Sequence, residues 1–221
     1  MKPAPLPGSA LTAGVLALQG DFAAHARALA ACGASVREVR LTEDLDGLGG
    51  LVMPGGESTT LLRLLREHGF DRALPRFLEG GGAIYGTCAG AILLARRVLS
   101  PEQWSLGLLD VDIERNAYGR QADSFETELT AADPALLQAE GGPRGAPLPA
   151  VFIRAPRLRR LGSAVRTLAS LGEEPVLVRQ GPILASTYHP ELTGDGRVHR
   201  YFLGVVMRDT ADAARSSVPA G

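Results

Sequence analysis

An α/β fold, a three-layer sandwich with a central mixed, mostly parallel sheet and helices on both faces, is predicted by two features of this sequence. In the first half, short apolar runs alternate with amphipathic stretches bounded by capping and stop residues, the pattern of a parallel sheet covered on both faces. In the second half, runs of strand character follow one another with only turns between them, which adds antiparallel strands. No internal repeat or low-complexity stretch divides the 221 residues, a length suited to one α/β domain with a sizeable core. A single domain over 12–210 is expected, with 1–11 and 211–221 as flexible tails.

The elements follow in order. Gly14 to Leu18 is a short apolar run that suits a buried strand and stops at Gln19-Gly20. Asp21 can cap a helix running to about Cys32, with Gly33 as its stop. Ser35 to Arg40 alternates as a second strand, and Leu51 to Met53 is a third, ending at Pro54-Gly55-Gly56. A helix capped by Ser58 or Thr59 buries Leu61, Leu62, Leu64 and Leu65 and ends at Gly69; Arg72 to Glu79 is another. Ala83 to Tyr85 is a strand, and Ala91 to about Arg97 a helix.

Beyond these, Leu109 to Arg115, Ser124 to Thr130, Val151 to Ile153, Val165 to Leu171, Pro175 to Arg179 and Ile183 to Thr187 read as strands, the last three as an antiparallel meander. Ala139 to Pro149 reads as a surface loop, and Arg197 to Arg208 has helical spacing.

Composition excludes several classes of function. A formal net charge of -1 offers no polycation to nucleic acid, and the one dense arginine run, Arg154 to Arg160, is broken by Pro156. No apolar run is long enough to cross a bilayer. Two cysteines, Cys32 and Cys88, make no disulfide framework and lack metal-ligand spacing, so neither a metal nor a cofactor is expected. A reducing, cytoplasmic compartment is the simpler expectation.

Cys88 carries the strongest chemical signal. It stands at the join of a short strand and a helix, in the pattern Gly86-x-Cys88-x-Gly90, the cysteine version of a nucleophile elbow. The sharp turn leaves no room for side chains at the two glycines, and the sulfur projects at the carboxyl end of the sheet, where open α/β folds place their sites. The helix N-terminus favours the reactive thiolate, and the Ala89 amide can face a developing oxyanion. A buried structural cysteine is the common alternative, and Cys32, at a helix end, fits that description.

His189 follows an apolar strand and precedes Pro190-Glu191. Two apart in an extended stretch, His189 and Glu191 can point to one side, with Glu191 fixing the imidazole tautomer and His189 exchanging a proton with the sulfur. His25, His68 and His199 lie on or beside helices and read as surface or packing residues.

Together these residues resemble the triad of the class-I glutamine amidotransferases, in a flavodoxin-like fold. Further blocks narrow the resemblance: Leu18-Gln19-Gly20, Pro54-Gly55-Gly56-Glu57-Ser58-Thr59-Thr60, Glu114-Arg115-Asn116, Gly119-Arg120-Gln121-x-Asp123-Ser124-Phe125-Glu126 and Phe152-Ile153-Arg154-Ala155-Pro156. In this order they are similar to the glutaminase subunits of pyridoxal 5′-phosphate synthases. The resemblance implies hydrolysis of L-glutamine to glutamate. Ammonia would pass to a separate barrel-fold synthase subunit, with many glutaminase copies on a ring-shaped core. It implies catalytic roles for Cys88, His189 and Glu191 and a glutamine-binding loop at Gly56, Glu57 and Ser58.

It further implies substrate contacts at Arg115, Ile153 and Arg154, where a guanidinium suits the α-carboxylate. Besides Ala89, an amide of Gly55 or Gly56 can serve the oxyanion. Gln19 is placed at the partner interface. Two segments depart from the family pattern: Asp21-Phe22-Ala23-Ala24, and the Gly/Pro-rich loop 139–149. A glutaminase serving nucleotide or histidine synthesis, a thiol hydrolase or peptidase, and a non-catalytic binding subunit are the competing readings. The Pro-Gly-Gly-Glu-Ser and Arg-Gln-x-Asp-Ser-Phe-Glu blocks speak against the first. Intact Cys, His and Glu positions speak against the last.

Overall fold

Nine strands hydrogen-bond into one sheet and three more into a smaller one in the computed structural model, which describes residues 12–115, 117 and 124–208. The expected tails, Asn116 and the Gly119-Arg120-Gln121-x-Asp123 part of the specific block lie outside the described residues. The strands are β1 Thr12–Leu16, β2 Ser35–Val39, β3 Gly50–Met53, β4 Ala83–Thr87, β5 Ala95–Leu99, β6 Leu109–Glu114, β7 Phe125–Ala131, β8 Leu148–Phe152, β9 Arg157–Leu161, β10 Arg166–Leu171, β11 Glu174–Gln180 and β12 Ile183–Ser186. The helices are α1 Phe22–Ala31, α2 Ser58–Glu67, α3 Phe70–Glu79, α4 Ala89–Leu94, α5 Pro134–Gln138 and α6 Arg197–Tyr201, with α6 widening into a π-helical turn at Phe202–Val206.

The large sheet has the order β2-β1-β3-β4-β12-β11-β10-β7-β8. From β2 to β12 the neighbours are parallel; from β12 to β8 they are antiparallel. Alternation along the buried strands sends side chains to opposite faces. Val52 and Tyr85 join a cluster that contains Leu29 of α1, Leu136 of α5 and Tyr201 of α6. Leu51, Met53 and Ile84 join another, with Leu61 of α2, Phe70 of α3 and Leu93 of α4. The sandwich therefore has three layers, as expected. The small sheet β5-β6-β9 packs into the second cluster through Val98, Val111 and Leu158.

The small sheet corrects two expectations. Ala95–Leu99 is a strand, not the end of a helix running to Arg97. Ala91 to Arg97 has helical composition, but pairing with β6 (Val98 with Ile113, Leu99 with Glu114) captures the chain after Leu94, and tertiary pairing overrides weak local propensity. The arginine run likewise contains β9, paired antiparallel to β6, with Arg160 and Arg159 ion-paired to Asp110 and Glu114 on that strand. Elsewhere boundaries shift by a few residues: β1 begins at Thr12, and β8 at Leu148, so that it takes in the end of the expected loop 139–149.

Helix ends follow the capping rules in part. Asp21 accepts a hydrogen bond from Ala24 N at 3.1 Å, as its position predicts. The cap of α2 is Glu57, not Ser58 or Thr59: its carboxylate accepts from Thr59 N at 2.9 Å and Thr60 N at 2.7 Å. A carboxylate reaches two free amides at once and also complements the helix dipole there.

Candidate functional site

Three neighbouring parallel strands end at one edge of the sheet. Met53 of β3 is level with Gly86 of β4, and Thr87 is level with Ser186 of β12. The next residues of each strand are Pro54-Gly55-Gly56, Cys88 and Thr187-Tyr188-His189. Register alone therefore delivers two glycine amides, a thiol and an imidazole to one crevice.

Cys88 sits between β4 and α4 with φ 47° and ψ −103°, a region that side-chain-bearing residues enter only under constraint, at a cost of roughly 1–3 kcal/mol. The constraint is visible in its neighbours. A Cβ on Gly90 would lie 2.1 Å from Met53 O, and one on Gly86 would lie 2.7 Å from the carbonyl carbon of Gly90. Cys88 N donates to Ser186 O at 2.9 Å, tying the turn to β12. Ala89 is the first residue of α4, so its N–H has no intrahelical acceptor and is free for an anion. Cys88 is 7% exposed and forms part of the lining of a cleft.

His189 Nδ1 lies 2.7 Å from Glu191 Oε1. The two do not share an extended stretch: Pro190–Leu192 forms a 3-10 turn, which a proline at its first position favours. Burial alone would depress the basicity of His189, but hydrogen bonds and charge from Cys88 and Glu191 overcome it and push its pKa up to about 10. Burial works against the Glu191 anion too. The nearby His25 and the hydrogen bond to His189 outweigh it and hold the carboxyl well below the ordinary carboxylate range. Cys88, His189 and Glu191 thus form a contiguous array in which a proton on His189 is stabilised from both sides.

A cleft of about 180 Å³ opens in front of Cys88 and His189. This is below the ~300–1,000 Å³ usual for drug-sized ligands and suits a small metabolite. Its walls include every residue predicted to contact substrate: Gly56, Glu57, Ser58, Arg115, Ile153 and Arg154. Ile92 of α4 is a further apolar wall that sequence reading missed; only its helical distance from Cys88 hints at it. Gly55 is buried behind Gly56, where a Cβ would come within 2.5 Å of His189 Cε1. Arg154 is exposed and has φ 45°, strain of the kind that gathers at ligand sites. Arg115 is aimed by Glu57, with Nη2 3.7 Å from Oε1, and by Thr59 Oγ1 at 3.4 Å. A groove with a larger cavity, about 490 Å³ beside α3, has no cysteine or histidine in its lining.

Gln19 does not line the cleft but braces it. Its Oε1 accepts from Glu57 N at 3.2 Å, and a Cβ on Gly20 would strike Gly55 O at 1.8 Å. The loop between β1 and α1 therefore sets the height of the Gly55–Glu57 segment.

Glu57 supports both helix and cleft, which gives a prediction. Although burial raises its pKa, the amides and hydroxyls of Thr59 and Thr60 lower it from 4.5 to about 2. The cap's stabilisation is therefore fully present above pH 4.5 and is lost as pH falls through about 2. Glu57→Ala should cost about 1 kcal/mol at neutral pH and lower Tm by roughly 2–4 °C. Thermal melts of the two proteins should converge toward pH 2, and an unchanged gap across that range would show that the carboxylate is not the cap.

The model of the SNO glutamine amidotransferase family matches residues 15–208. The chain belongs to this family. A Deinococcus radiodurans protein named pyridoxal 5′-phosphate synthase subunit PdxT is 54% identical over 200 residues, covering 88% of this chain and 97% of the relative. A Thermus thermophilus protein of the same name is 55% identical over 192 residues, covering 86% of this chain and 95% of the relative. Among solved structures, one titled as a glutamine amidotransferase superposes with a TM-score of 0.79 at 49% identity, covering 90% of this chain and 98% of that one. The PurLQS structure from Thermotoga maritima shares the fold alone, with a TM-score of 0.67 at 16% identity over 88% of this chain and 98% of that one.

Within this SNO amidotransferase, two of the histidines read as surface or packing residues are packing residues, with polar contacts that the sequence did not show. His25 and His199 are fully buried, and His25 Nε2 lies 3.4 Å from Glu191 Oε2. No local motif marks them, because their neighbours come from distant parts of the chain. Cys32, by contrast, is buried as expected, with its thiol 3.6 Å from Gly196 O. Among the described residues no helix is long and apolar enough to cross a membrane.

Proposed function

We propose that this chain is the glutaminase subunit of a pyridoxal 5′-phosphate synthase, with one catalytic domain over 12–210. The observation that carries the reading is the single cleft that joins Cys88 and His189 to the Gly56–Ser58 loop and to both arginines. The relatives' names supply the destination of the ammonia.

In the proposed mechanism Arg115 and Arg154 pair with the α-carboxylate of glutamine and set its side chain toward the elbow. The Cys88 thiolate attacks the amide carbon. Negative charge gathers on the amide oxygen, which accepts from Ala89 N–H and an amide of Gly55 or Gly56. His189 gives its proton to the departing nitrogen, ammonia leaves, and a γ-glutamyl thioester remains. His189 then takes a proton from water, hydroxide attacks the thioester, and glutamate is released with regeneration of the thiolate. Glu191 keeps the imidazole tautomer and orientation through both steps.

Ammonia is passed to a barrel-fold synthase subunit, many glutaminase copies sitting on a ring-shaped core. Gln19 and the β1–α1 loop lie at that interface, so docking acts on the same loop that braces Gly55 and Glu57. The test is ammonia release from glutamine by the full chain, alone and with the synthase subunit. Stimulation on mixing is expected; two subunits that bind one another with no change in rate would overturn the pathway assignment.

A further inference from the structure

Behind the cleft lies a buried group of polar side chains that the mechanism above does not use. The Glu191 side chain is completely buried, and one of its oxygens, Oε1, is occupied by His189. The other, Oε2, makes no hydrogen bond of ordinary geometry among the described residues. Facing it is His25 Nε2 of α1 at 3.4 Å, which is also 3.1 Å from Thr87 Oγ1, one residue before Cys88. On its other side His25 Nδ1 lies 3.1 Å from His199 Nε2 of α6. Both rings are fully buried and meet the edge of Tyr85.

Hydrogen-bond accounting assigns the protons. His199 Nδ1 has no partner among the described residues. A proton there would be an orphaned buried donor, so the neutral ring carries its proton on Nε2 and donates to His25 Nδ1. His25 Nδ1 is then an acceptor, its own proton sits on Nε2, and that proton faces Glu191 Oε2 and Thr87 Oγ1. The opposite arrangement would strand a donor on His199 and aim a lone pair at a buried carboxylate, which is unfavourable twice over. Burial and His25 together push His199 down to about 3, keeping it neutral at physiological pH.

We propose that His25 is a positioning residue for the reaction: its Nε2–H holds the second oxygen of Glu191, and His199 fixes the tautomer in which it can do so. The inference rests on the reading of Glu191 as the orienter of His189. A carboxylate tied at one oxygen can rotate about its last bond and let His189 turn from the sulfur; tied at both, it cannot. The charged or titratable groups facing His25 are Glu191 from the 3-10 turn, His199 from α6 and Tyr85 from β4, with Thr87 completing the contact. The attachment also runs through α1, and the loop that leads into α1 braces the Gly55–Glu57 segment, so one loop and its helix touch both the oxyanion segment and the triad.

The experiment compares two substitutions that each keep half of the imidazole. His25→Asn places an amide near the Nδ1 position and preserves the contact with His199 while losing the reach to Glu191. His25→Gln reaches the Nε2 position and preserves a donor for Glu191. With the full chain assayed together with its synthase subunit, His25→Asn should lower kcat about 10-fold, less than the ~10⁴-fold of removing an orienting carboxylate. KM should be little changed, and the acid limb of the pH profile should move upward, because Glu191 loses a stabilising neighbour. His25→Gln should recover most of the rate at the wild-type acid limb.

Equal loss in both variants, tracking their melting temperatures, would show that His25 only packs and would overturn the proposal. Glu191→Gln separates the role of His25 from that of the triad. If it turns over like wild type, the triad reading itself fails; if it is impaired while His25→Asn is not, only the role of His25 fails.

Discussion

Cys88→Ala should reduce ammonia release by at least about 10⁴-fold in kcat, since removing a nucleophile that acts as one unit with its base and orienter forfeits nearly the whole of their contribution. The fold should not suffer. The side chain is small, buried at an elbow held by backbone contacts to Ser186 and Met53, and alanine fits the same space. Strain at φ 47° is retained by the turn, not by the sulfur. A second readout accompanies the first. Part of what raises His189 is the hydrogen bond and charge of Cys88, so the imidazole should titrate at lower pH in the variant, as NMR of the ring protons can follow. Turnover near the wild-type rate in Cys88→Ala would remove the thioester route altogether, and an unshifted His189 would mean that sulfur and imidazole are not in contact in solution.

Arg197→Met should be the most destabilising of the single substitutions considered, by about 3–5 kcal/mol, because it leaves the nearly buried Asp195 carboxylate without its counter-charge. Arg197 is fully buried. Its guanidinium holds Asp195 through Nε at 3.1 and 3.0 Å and Nη2 at 2.7 Å. It also donates to the carbonyls of Ala146 at 2.7 Å and Pro147 at 2.8 Å. One side chain thereby ties the loop between α5 and β8 to the start of α6. Removing it leaves an anion and two carbonyls in need of donors, and methionine cannot supply them. For a chain of this size the Tm should drop by about 10 °C. A melt within about 2 °C of wild type would show that water replaces the guanidinium at little cost.

How far the site could be read from sequence depended on the distance between its parts. Gly86-x-Cys88-x-Gly90 is a local device: the reason for each glycine is a clash within the elbow or with the strand beside it, so residue type and spacing were sufficient. His189-Pro190-Glu191 is local too, although the geometry joining the two side chains is a proline-started turn and not a strand. The Gly55–Ser58 loop was legible as a close backbone approach, but the cap it contains was assigned to the wrong side chain. Serine and threonine are the usual caps, and nothing in the sequence announces that Glu57 reaches two amides and Arg115 at once.

His25 and His199 were opaque for a different reason. They are 174 residues apart and touch only because α1 and α6 cover the same face of the sheet. On either helix a lone histidine looks like any half-polar residue. The strands β5 and β9 were hidden by the same kind of distance. Ala95–Leu99 is composed as well for a helix as for a strand, and the arginines of β9 look like a solvated run until β6 supplies Asp110 and Glu114 opposite them.

By itself, then, the order of residues determined the layered α/β architecture, the nucleophile elbow, the His-Pro-Glu segment and the loop that faces them, since each is encoded by periodicity or by spacing within a few positions. Only the tertiary structure decided that β3, β4 and β12 end side by side, that Arg115 is aimed by Glu57, and that two buried histidines stand behind Glu191. Those contacts join segments remote in the chain, and their energy comes from burial and pairing that exist only once the sheet has formed.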